Sequence, residues 1–288
     1  CIEEGLPTLT GIRLVTINPA KDYDFQDIGV IAPGYIADMQ LVENLDFIER
    51  PLMVFVEGKL VSKDGKLTGE PQSIAWTLDK NTVNIPNFSS ASIFELRAPN
   101  KDSKNAKVAT IQSEMYKRDA YYETVPVKDG IVDISNRDDL CFVCSLDRYG
   151  TGEKTIALLK DFGLRDGAIA TTVSHDNHNI TVFYKNPKDA YVAVKELERV
   201  GGGVCTVRNE KILSSLELPV AGLMSPQPNH ILAIEANKIQ DSVCELCNNP
   251  KYKLMTVFLF SLPAIVGYCI TNKGVVSGDK NEIFPIFN

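Results

Sequence analysis

Histidine is scarce in this sequence, which has only three in 288 residues, at positions 175, 178 and 230. Positive charge is in deficit as well, with 30 Lys and Arg against 37 Asp and Glu, a net charge of −7 and a pI near 5.1. A surface of that sign repels a phosphate backbone, so nucleic acid is not expected as a partner. Hydrophobic residues make up 44% and charged residues 23%, which indicates a globular chain and excludes disorder or a coiled coil.

The sequence also lacks a convincing membrane span. One uncharged stretch, residues 254–270, has seventeen residues, short of the roughly 20 that a spanning helix needs. It also contains Pro263 and Gly267. We therefore expect no membrane partner, and predict for this stretch either two buried strands or a core helix broken at the proline.

The beginning of the chain shows no sign of a signal peptide. Cys1 is followed by Ile-Glu-Glu-Gly-Leu, without a basic region and an apolar region. We interpret this as the interior of a helix, so the sequence is expected to be part of a longer polypeptide. The seven cysteines are scattered, which favours reduced thiols and a cytoplasmic protein over a disulfide framework.

Apolar periodicity predicts alternating strands and helices, of the α/β or α+β class. Proline and asparagine interrupt regular structure over residues 70–87, which predicts a domain boundary there. The predicted helices are 9–17 with one buried stripe, 154–162, 187–200 and 229–247. The predicted strands are 37–42, a hairpin of 53–56 and 59–61, 93–96, 107–111, 140–144, 168–173, 180–184, and a hairpin of 204–207 and 211–216.

The most distinctive motif is His175-Asp176-Asn177-His178-Asn179, between two predicted strands. Imidazole and carboxylate groups are ligands for zinc, manganese or iron, and imidazole carries protons near neutral pH. In an extended strand, residues three apart point to opposite faces, so His175 and His178 would converge only in a turn. The alternative interpretation is a polar turn whose Asp and Asn bond their own backbone.

Other clusters carry weaker signals. Cys141 and Cys144 lie in a predicted strand and point to opposite faces, whereas Cys244 and Cys247 share a helix face. Small buried apolar residues explain both pairs better than a zinc knuckle does. Residues 150–154 (Gly-Thr-Gly-Glu-Lys) precede a predicted helix, so their amides are candidates for holding an anion. Residues 201–203 (Gly-Gly-Gly) are expected to end a helix, and residues 219–226 to form core or a pocket wall.

The first 61 residues resemble the tail of the amidohydrolase superfamily. The resemblance rests on Gly-Val-Ile-Ala-Pro-Gly-Tyr-Ile-Ala-Asp at 29–38 and Val-Phe-Val-Glu-Gly-Lys-Leu-Val at 54–61. In that superfamily such segments form strands of a small β-domain beside a metal-binding barrel. The resemblance implies that the helix near residues 2–17 is the last barrel helix.

A second resemblance is to the C-terminal domain of the adenine deaminase family. It rests on residues 162–179 (Phe-Gly-Leu-Arg-Asp-Gly-Ala-Ile-Ala-Thr-Thr-Val-Ser-His-Asp-Asn-His-Asn), the glycines at 201–203 and residues 218–225 (Leu-Pro-Val-Ala-Gly-Leu-Met-Ser). The sequence departs from the pattern at Tyr149, where a histidine is expected after Arg148, and at Glu153, where asparagine is usual. Together the two resemblances imply a barrel tail at 1–27, part of the small β-domain at 28–75 and a mixed-sheet C-terminal domain with helices at 85–288.

The resemblance implies hydrolysis of adenine to hypoxanthine and ammonia, with water activated by manganese or iron. That metal centre takes four histidines and an aspartate from barrel strands, so this chain is expected to lack it, to hold no metal itself and to be inactive alone. His175 and His178 remain candidate metal ligands. A homo-oligomer is expected. The implied catalytic residues are His175, Asp176 and His178, and the implied substrate-binding residues are Asn179, Thr151, Glu153 and Met224.

Two hypotheses of different classes stay open. In the first, the chain is part of an adenine deaminase and the histidine motif lines its active site. In the second, the C-terminal domain is a non-catalytic assembly or regulatory module and the motif is a structural turn. A His-x-His strand motif encoded upstream of Cys1 would favour the first hypothesis.

Overall fold

The computed structural model describes residues 2, 4–45, 50–70, 81–86, 89–113, 117–248 and 253–288. The chain divides into two compact units, Cys1–Ala75 and Trp76–Asn288. Several sheets and few helices place it in the α+β class. None of the helices in the described ranges has both the length and the apolar character that a membrane crossing requires.

The first unit combines two short helices with a small antiparallel sheet of order β1-β2-β3-β4. The predicted hairpin is confirmed: Glu57 and Gly58 both have positive φ, as the tight turn between its strands requires. The elements are α1 (Thr8–Leu14), α2 (Ile17–Asp22), β1 (Met39–Leu41), β2 (Met53–Val56), β3 (Lys59–Lys63) and β4 (Lys66–Leu67).

The second unit is built on a nine-stranded sheet of order β13-β12-β10-β11-β8-β9-β5-β6-β7. Neighbouring strands are antiparallel except β5 and β9, which are parallel. The strands are β5 (Asn105–Gln112), β6 (Ala120–Lys128), β7 (Ile131–Val132), β8 (Leu140–Leu146), β9 (Lys154–Lys160), β10 (Ala168–Thr171), β11 (Ile180–Tyr184), β12 (Gly203–Arg208) and β13 (Lys211–Glu217). The remaining elements are a 3-10 helix (Ala91–Phe94), α3 (Pro187–Val200), α4 (Asn229–Leu246), α5 (Lys253–Leu259), β14 (Tyr268–Thr271), β15 (Gly274–Ser277) and β16 (Glu282–Phe284).

Both faces of the central sheet are covered. On one face, α3 and the 3-10 helix enclose one apolar cluster. On the other face, α4, α5 and the small sheet of β14, β15 and β16 enclose a second one. Strand β8 shows the arrangement: Leu140, Phe142 and Cys144 face the first cluster, whereas Cys141 and Val143 face the second. Because both faces are buried, the central strands are apolar throughout instead of alternating.

Helix α3 begins and ends at residues that favour helix ends. The Asn186 side chain accepts from the amides of Lys188 and Asp189, Pro187 opens the first turn, and Gly201 ends the helix with φ +82°. These are the groups that satisfy and terminate helix ends. The predicted helix over 187–200 is therefore confirmed, as is the interpretation of the glycines after it.

The predicted helix over 154–162 is wrong, because residues Lys154–Lys160 form strand β9. Thr155 through Leu159 are all buried between the two clusters. A short apolar run does not distinguish a buried strand from a buried helix, and here the flanking strands β8 and β5 decide the outcome.

Three further expectations needed correction. The predicted strand at 93–96 is not formed, because Ala91–Phe94 form a 3-10 helix, and strand β6 was not foreseen. Stretch 254–270 holds one helix, α5, and one strand, β14, instead of two strands or a single broken helix.

The predicted buried stripe at 9–17 is not formed: α1 has no buried residue, and Leu9 is 69% exposed. A stripe is buried only where another element covers it, and among the described residues α2 is the element that packs closely on α1.

The described cysteines are free thiols. Cys141 and Cys144 point to opposite faces of β8, as predicted. The prediction of buried residues holds for Cys247 but not for Cys244, which is exposed. The reason is that α4 ends at Leu246 and the extended backbone of Cys247 turns its side chain inward, so the two thiols do not share a helix face.

Candidate functional site

Several loops meet at one end of the nine-stranded sheet. Pairings of Leu146 with Lys154 and of Thr171 with Thr181 place the β8–β9 and β10–β11 connections at the same end. Pairing of Gly203 with Glu217 brings the start of β12 and the exit of β13 there too. We call residues 174–179 the histidine turn and residues 147–153 the arginine loop.

The histidine turn is a compact, internally bonded reversal. The His178 amide donates to the Ser174 carbonyl at 2.6 Å, and the Asn179 amide donates to the Asn177 side chain at 2.9 Å. The Ser174 hydroxyl, buried below, donates to Thr181 Oγ1 at 2.8 Å. Short polar side chains that bond their own backbone favour such turns, so the sequence specifies this geometry locally.

The backbone of His175 is held on both sides by residues 258–261. Its amide donates to the Phe258 carbonyl at 3.1 Å, and its carbonyl accepts from the Ser261 hydroxyl at 2.8 Å. The fully buried Arg118 in turn donates to the carbonyls of Leu259 and Phe260 at 3.1 and 3.3 Å. Burial lowers the pKa of Arg118 to about 10, which leaves it positively charged at neutral pH.

The two imidazole rings lie side by side in the turn, with ring centres 5.8 Å apart and planes at 67°. Burial lowers the pKa of His178, and the charges of Arg148 and His175 lower it further, against the opposing effect of Asp176. His178 is therefore a neutral imidazole at neutral pH, able to accept a proton. The Asp176 carboxylate is exposed and, within the described part of the chain, hydrogen-bonds neither ring.

Arg148 is a site residue that the sequence did not single out. It is 3% exposed, and its Nη1 donates to the Ala221 carbonyl at 2.9 Å. Gly222 makes room for it, because a Cβ there would lie 2.1 Å from Nη1. The Thr172 hydroxyl fixes the same turn by donating to the Gly222 carbonyl at 2.5 Å. The signals in the sequence were an arginine before a loop with two glycines and its place in the family pattern, next to Tyr149.

Two of the predicted substrate-binding residues are joined through a residue that sequence reasoning missed. The Asn179 side-chain amide donates to Asn272 Oδ1 at 3.0 Å, and the Asn272 amide donates to Glu153 Oε2 at 3.1 Å. Lys273 Nζ pairs with the other oxygen of Glu153 at 2.5 Å. Asn272 lies on the turn between β14 and β15, about 120 residues from Glu153, and only the fold brings the two together.

The helix on which the anion-holding role of residues 150–154 depends is not formed. The segment precedes strand β9 and not a helix. The Asp147 carboxylate already accepts from the amides of Tyr149 and Thr151, at 3.1 and 2.8 Å. The Thr151 hydroxyl accepts from the Glu153 amide at 3.2 Å, so the loop is closed on itself.

Met224 lies at a different part of this end of the sheet. It is exposed, on a tight turn closed by its bridge with Val220, and the same turn carries the Ala221 carbonyl that Arg148 contacts. His175, His178 and Asn179 therefore lie in one turn, and Asn179 is connected to Glu153 by hydrogen bonds through Asn272. Thr151 is beside Glu153, and Met224 is connected to the group through Arg148.

The described residues contain no group of three or more His, Cys, Asp or Glu side chains placed to hold a metal ion. His175 and His178 supply two imidazoles without a third donor. Because metal sites in proteins take at least three protein ligands as a rule, this part of the chain does not fit a resident catalytic metal.

Comparison with known proteins identifies two matching families. The adenine deaminase C-terminal domain family matches residues 117–282, and the amidohydrolase family matches residues 2–61. The first match contains the histidine turn, the arginine loop and Asn272, so it covers the site described above.

Individual relatives agree over nearly the whole chain. Adenine deaminase 2 of Carboxydothermus hydrogenoformans is 33% identical over 99% of this chain and 50% of its own length. The adenine deaminases of Thermosipho africanus and Clostridium botulinum are 31% and 33% identical, over 49% and 48% of their lengths. The chain thus spans about half the length of the relatives it matches, and it belongs to the adenine deaminase C-terminal domain family.

Proposed function

We propose that this chain is part of an adenine deaminase, which hydrolyses adenine to hypoxanthine and ammonia. The observation that carries the proposal is the meeting of His175, His178, Asn179 and Glu153 at one end of the sheet, in a chain whose relatives are named adenine deaminases. One water is consumed: its oxygen becomes bonded to C6 of the purine and the amino group leaves as ammonia.

In this proposal the histidine turn moves protons. His178 is neutral at neutral pH and accepts a proton from the attacking water or passes one to the leaving amino group. Its Nδ1 is buried without a hydrogen-bond partner among the described residues, as is Nε of Arg148. Buried polar atoms are paired as a rule, so these two atoms mark the histidine turn and the arginine loop as a place where polar groups remain to be paired.

The other predicted site residues are assigned to substrate contact. Glu153 is exposed and held by Asn272, which leaves fewer conformations to lose when the purine binds. Asn179 is 3% exposed and contributes by fixing Asn272 through its side-chain amide. The exposed side chains of Thr151 and Met224 provide a hydroxyl and an apolar surface. Manganese or iron remains a prediction from the family resemblance; no step proposed here involves a metal held by the described residues.

The test is His178→Asn in the longer polypeptide that contains this chain. Loss of one general acid–base group is expected to lower kcat about 100-fold or more. His230→Asn is the matched control, because His230 is exposed and belongs to α4 instead of the histidine turn. If His178→Asn retains activity within a factor of about three and melts like the wild type, the turn is structural and the catalytic assignment fails.

We also propose that the 288-residue chain is inactive by itself, since the family's metal ligands are expected on barrel strands. The measurement is ammonia release from adenine with manganese added. Turnover on the order of 10 per second, typical of an enzyme, would contradict this proposal.

A further inference from the structure

Tyr149 is an exposed aromatic ring fixed beside the histidine turn. It is 56% exposed and follows Arg148 in the arginine loop. Its hydroxyl donates to the Asn177 carbonyl at 3.3 Å and accepts from Arg148 Nη2 at 3.4 Å. The ring therefore has a defined position at the protein surface, next to the residues that the proposed function uses.

The support behind the ring is a buried cation. The guanidinium carbon of Arg148 lies 5.1 Å from the centre of the Tyr149 ring, within the range of a cation–π interaction. Arg148 is itself immobilised, because its Nη1 bonds the Ala221 carbonyl and Gly222 packs directly against it. A ring held by a rigid cation loses little conformational freedom when a ligand stacks on it.

Tyr149 is also placed among the predicted substrate contacts. Thr151 and Glu153 follow it in the same loop, and its hydroxyl touches the turn that carries His178 and Asn179. An isolated exposed aromatic residue needs no explanation. A preorganised ring at the convergence of several loops is what recognition of a flat heteroaromatic ligand requires, because stacking uses the face of the ring and tolerates a neutral ligand.

We propose that Tyr149 is the surface on which the purine ring of the substrate stacks. The inference rests on the proposed function and adds to it the residue that binds the face of the base. Arg148 acts as a positioning residue, since it touches the ring and not the ligand in this arrangement. The edge of the purine is then left to polar side chains of the histidine turn and the arginine loop.

The experiment compares Tyr149→Leu with Tyr149→Phe in the longer polypeptide that contains this chain. Stacking on one aromatic ring predicts an increase of about tenfold in KM for adenine in Tyr149→Leu. Because the contact is present in both ground state and transition state, kcat is expected to stay within about threefold. Tyr149→Phe keeps the ring and is expected to change both constants by less than about threefold.

Tyr23→Leu is the matched control, since Tyr23 is exposed in the first unit, and it is expected to change neither constant. All three substitutions are at exposed positions, so unchanged thermal melts are expected. An unchanged KM in Tyr149→Leu, or an equal increase in Tyr149→Phe, overturns the stacking role while ammonia release by the wild type leaves the proposed function intact.

If the wild type releases no ammonia, the proposed function fails and stacking is judged by binding alone. Equilibrium dialysis of radiolabelled adenine against the wild type and Tyr149→Leu then gives the answer. Weaker binding by the variant supports the inference, whereas equal binding by both proteins, or no binding by either, overturns it.

Discussion

The two units of the chain use apolar residues in opposite ways. In the first unit, fourteen large apolar side chains of the described residues are exposed and Ala20 is the one buried core residue. The second unit is nearly three times longer, yet only eight of its described large apolar side chains are exposed. Its central sheet has apolar layers on both faces. Apolar content alone therefore does not make a core; a second layer has to cover it.

The second unit also has more polar interactions than the first. The ion pairs found among the described residues all lie in the second unit, as do the fully buried hydrogen-bonded side chains such as Arg118 and Thr172. A buried polar group needs a hydrogen-bond partner within the protein. Such groups occur only in a unit whose interior excludes water. The candidate site is consequently confined to the unit that has a core.

The comparison predicts the largest difference for substitutions of aromatic residues. Phe183 is fully buried, stacked on Phe162 with ring centres 4.7 Å apart and edge-on to Phe260 at 5.4 Å. Phe183→Ala is expected to lower the free energy of unfolding by about 3–5 kcal/mol, because a cavity remains. Phe25→Ala in the first unit, where the ring is 55% exposed, is expected to change it by less than about 0.5 kcal/mol. Urea denaturation followed by circular dichroism measures both, and equal losses would show that the units are not different in this respect.

Hydrogen exchange of the backbone should separate the units as well. Amides of α1 and α2 are expected to exchange at least about 100-fold faster than those of β8, since the helices bury almost nothing. Mass spectrometry of peptic fragments provides the rates. Strong protection of residues 8–22 in a monomer would contradict the assigned exposure, and protection that grows with protein concentration would reveal a covering partner.

Within the second unit, two buried serines provide a sharper test of the site. Ser261→Ala removes the hydroxyl that donates to the His175 carbonyl, whereas Ser242→Ala removes one that donates to the Ile239 carbonyl in α4 and accepts from Thr206 Oγ1. Each lost hydrogen bond is expected to cost about 1 kcal/mol of stability. Only Ser261→Ala is expected to lower kcat, by about fivefold, because it releases the backbone of His175. Parallel steady-state kinetics of the two variants decide the matter, and equal kcat values would show that His175 needs no such support.

The smallest expected effect is a pH dependence in the second unit. Hydrogen bonds from Arg137 lower the pKa of Asp139 from 3.8 to about 2. A pKa that is lower in the folded state stabilises the fold above pH 3.8, and the contribution is lost as pH falls towards 2. Asp139 is partly exposed, so the loss is expected to remain below about 1 kcal/mol. Thermal melts of wild type and Asp139→Asn between pH 5 and 2 should converge at low pH, and curves that stay parallel would argue against the ion pair.

The sequence predicted correctly those helix ends and turns that depend on adjacent residues. The bounds of α3, the turn at Glu57-Gly58 and the glycines that end α3 were identified because each depends on a few adjacent residues. The histidine turn was located for the same reason, since Asn and Asp bond their own backbone. Its contacts with Ser261, Arg148 and Asn272 were not foreseen, because those partners lie 31 to 93 residues away.

The sequence by itself limited the class of fold to α/β or α+β, located the histidine turn and showed the family resemblance that the comparisons confirmed. The tertiary structure decided that Lys154–Lys160 is a strand and that Arg148 supports the Tyr149 ring, and it brought Glu153 to Asn179 through Asn272. The physical reason is that backbone turns and caps are satisfied by near neighbours, whereas burial and long-range hydrogen bonds depend on which strands pair. Strand pairing is fixed only when apolar layers pack on both faces of the same sheet.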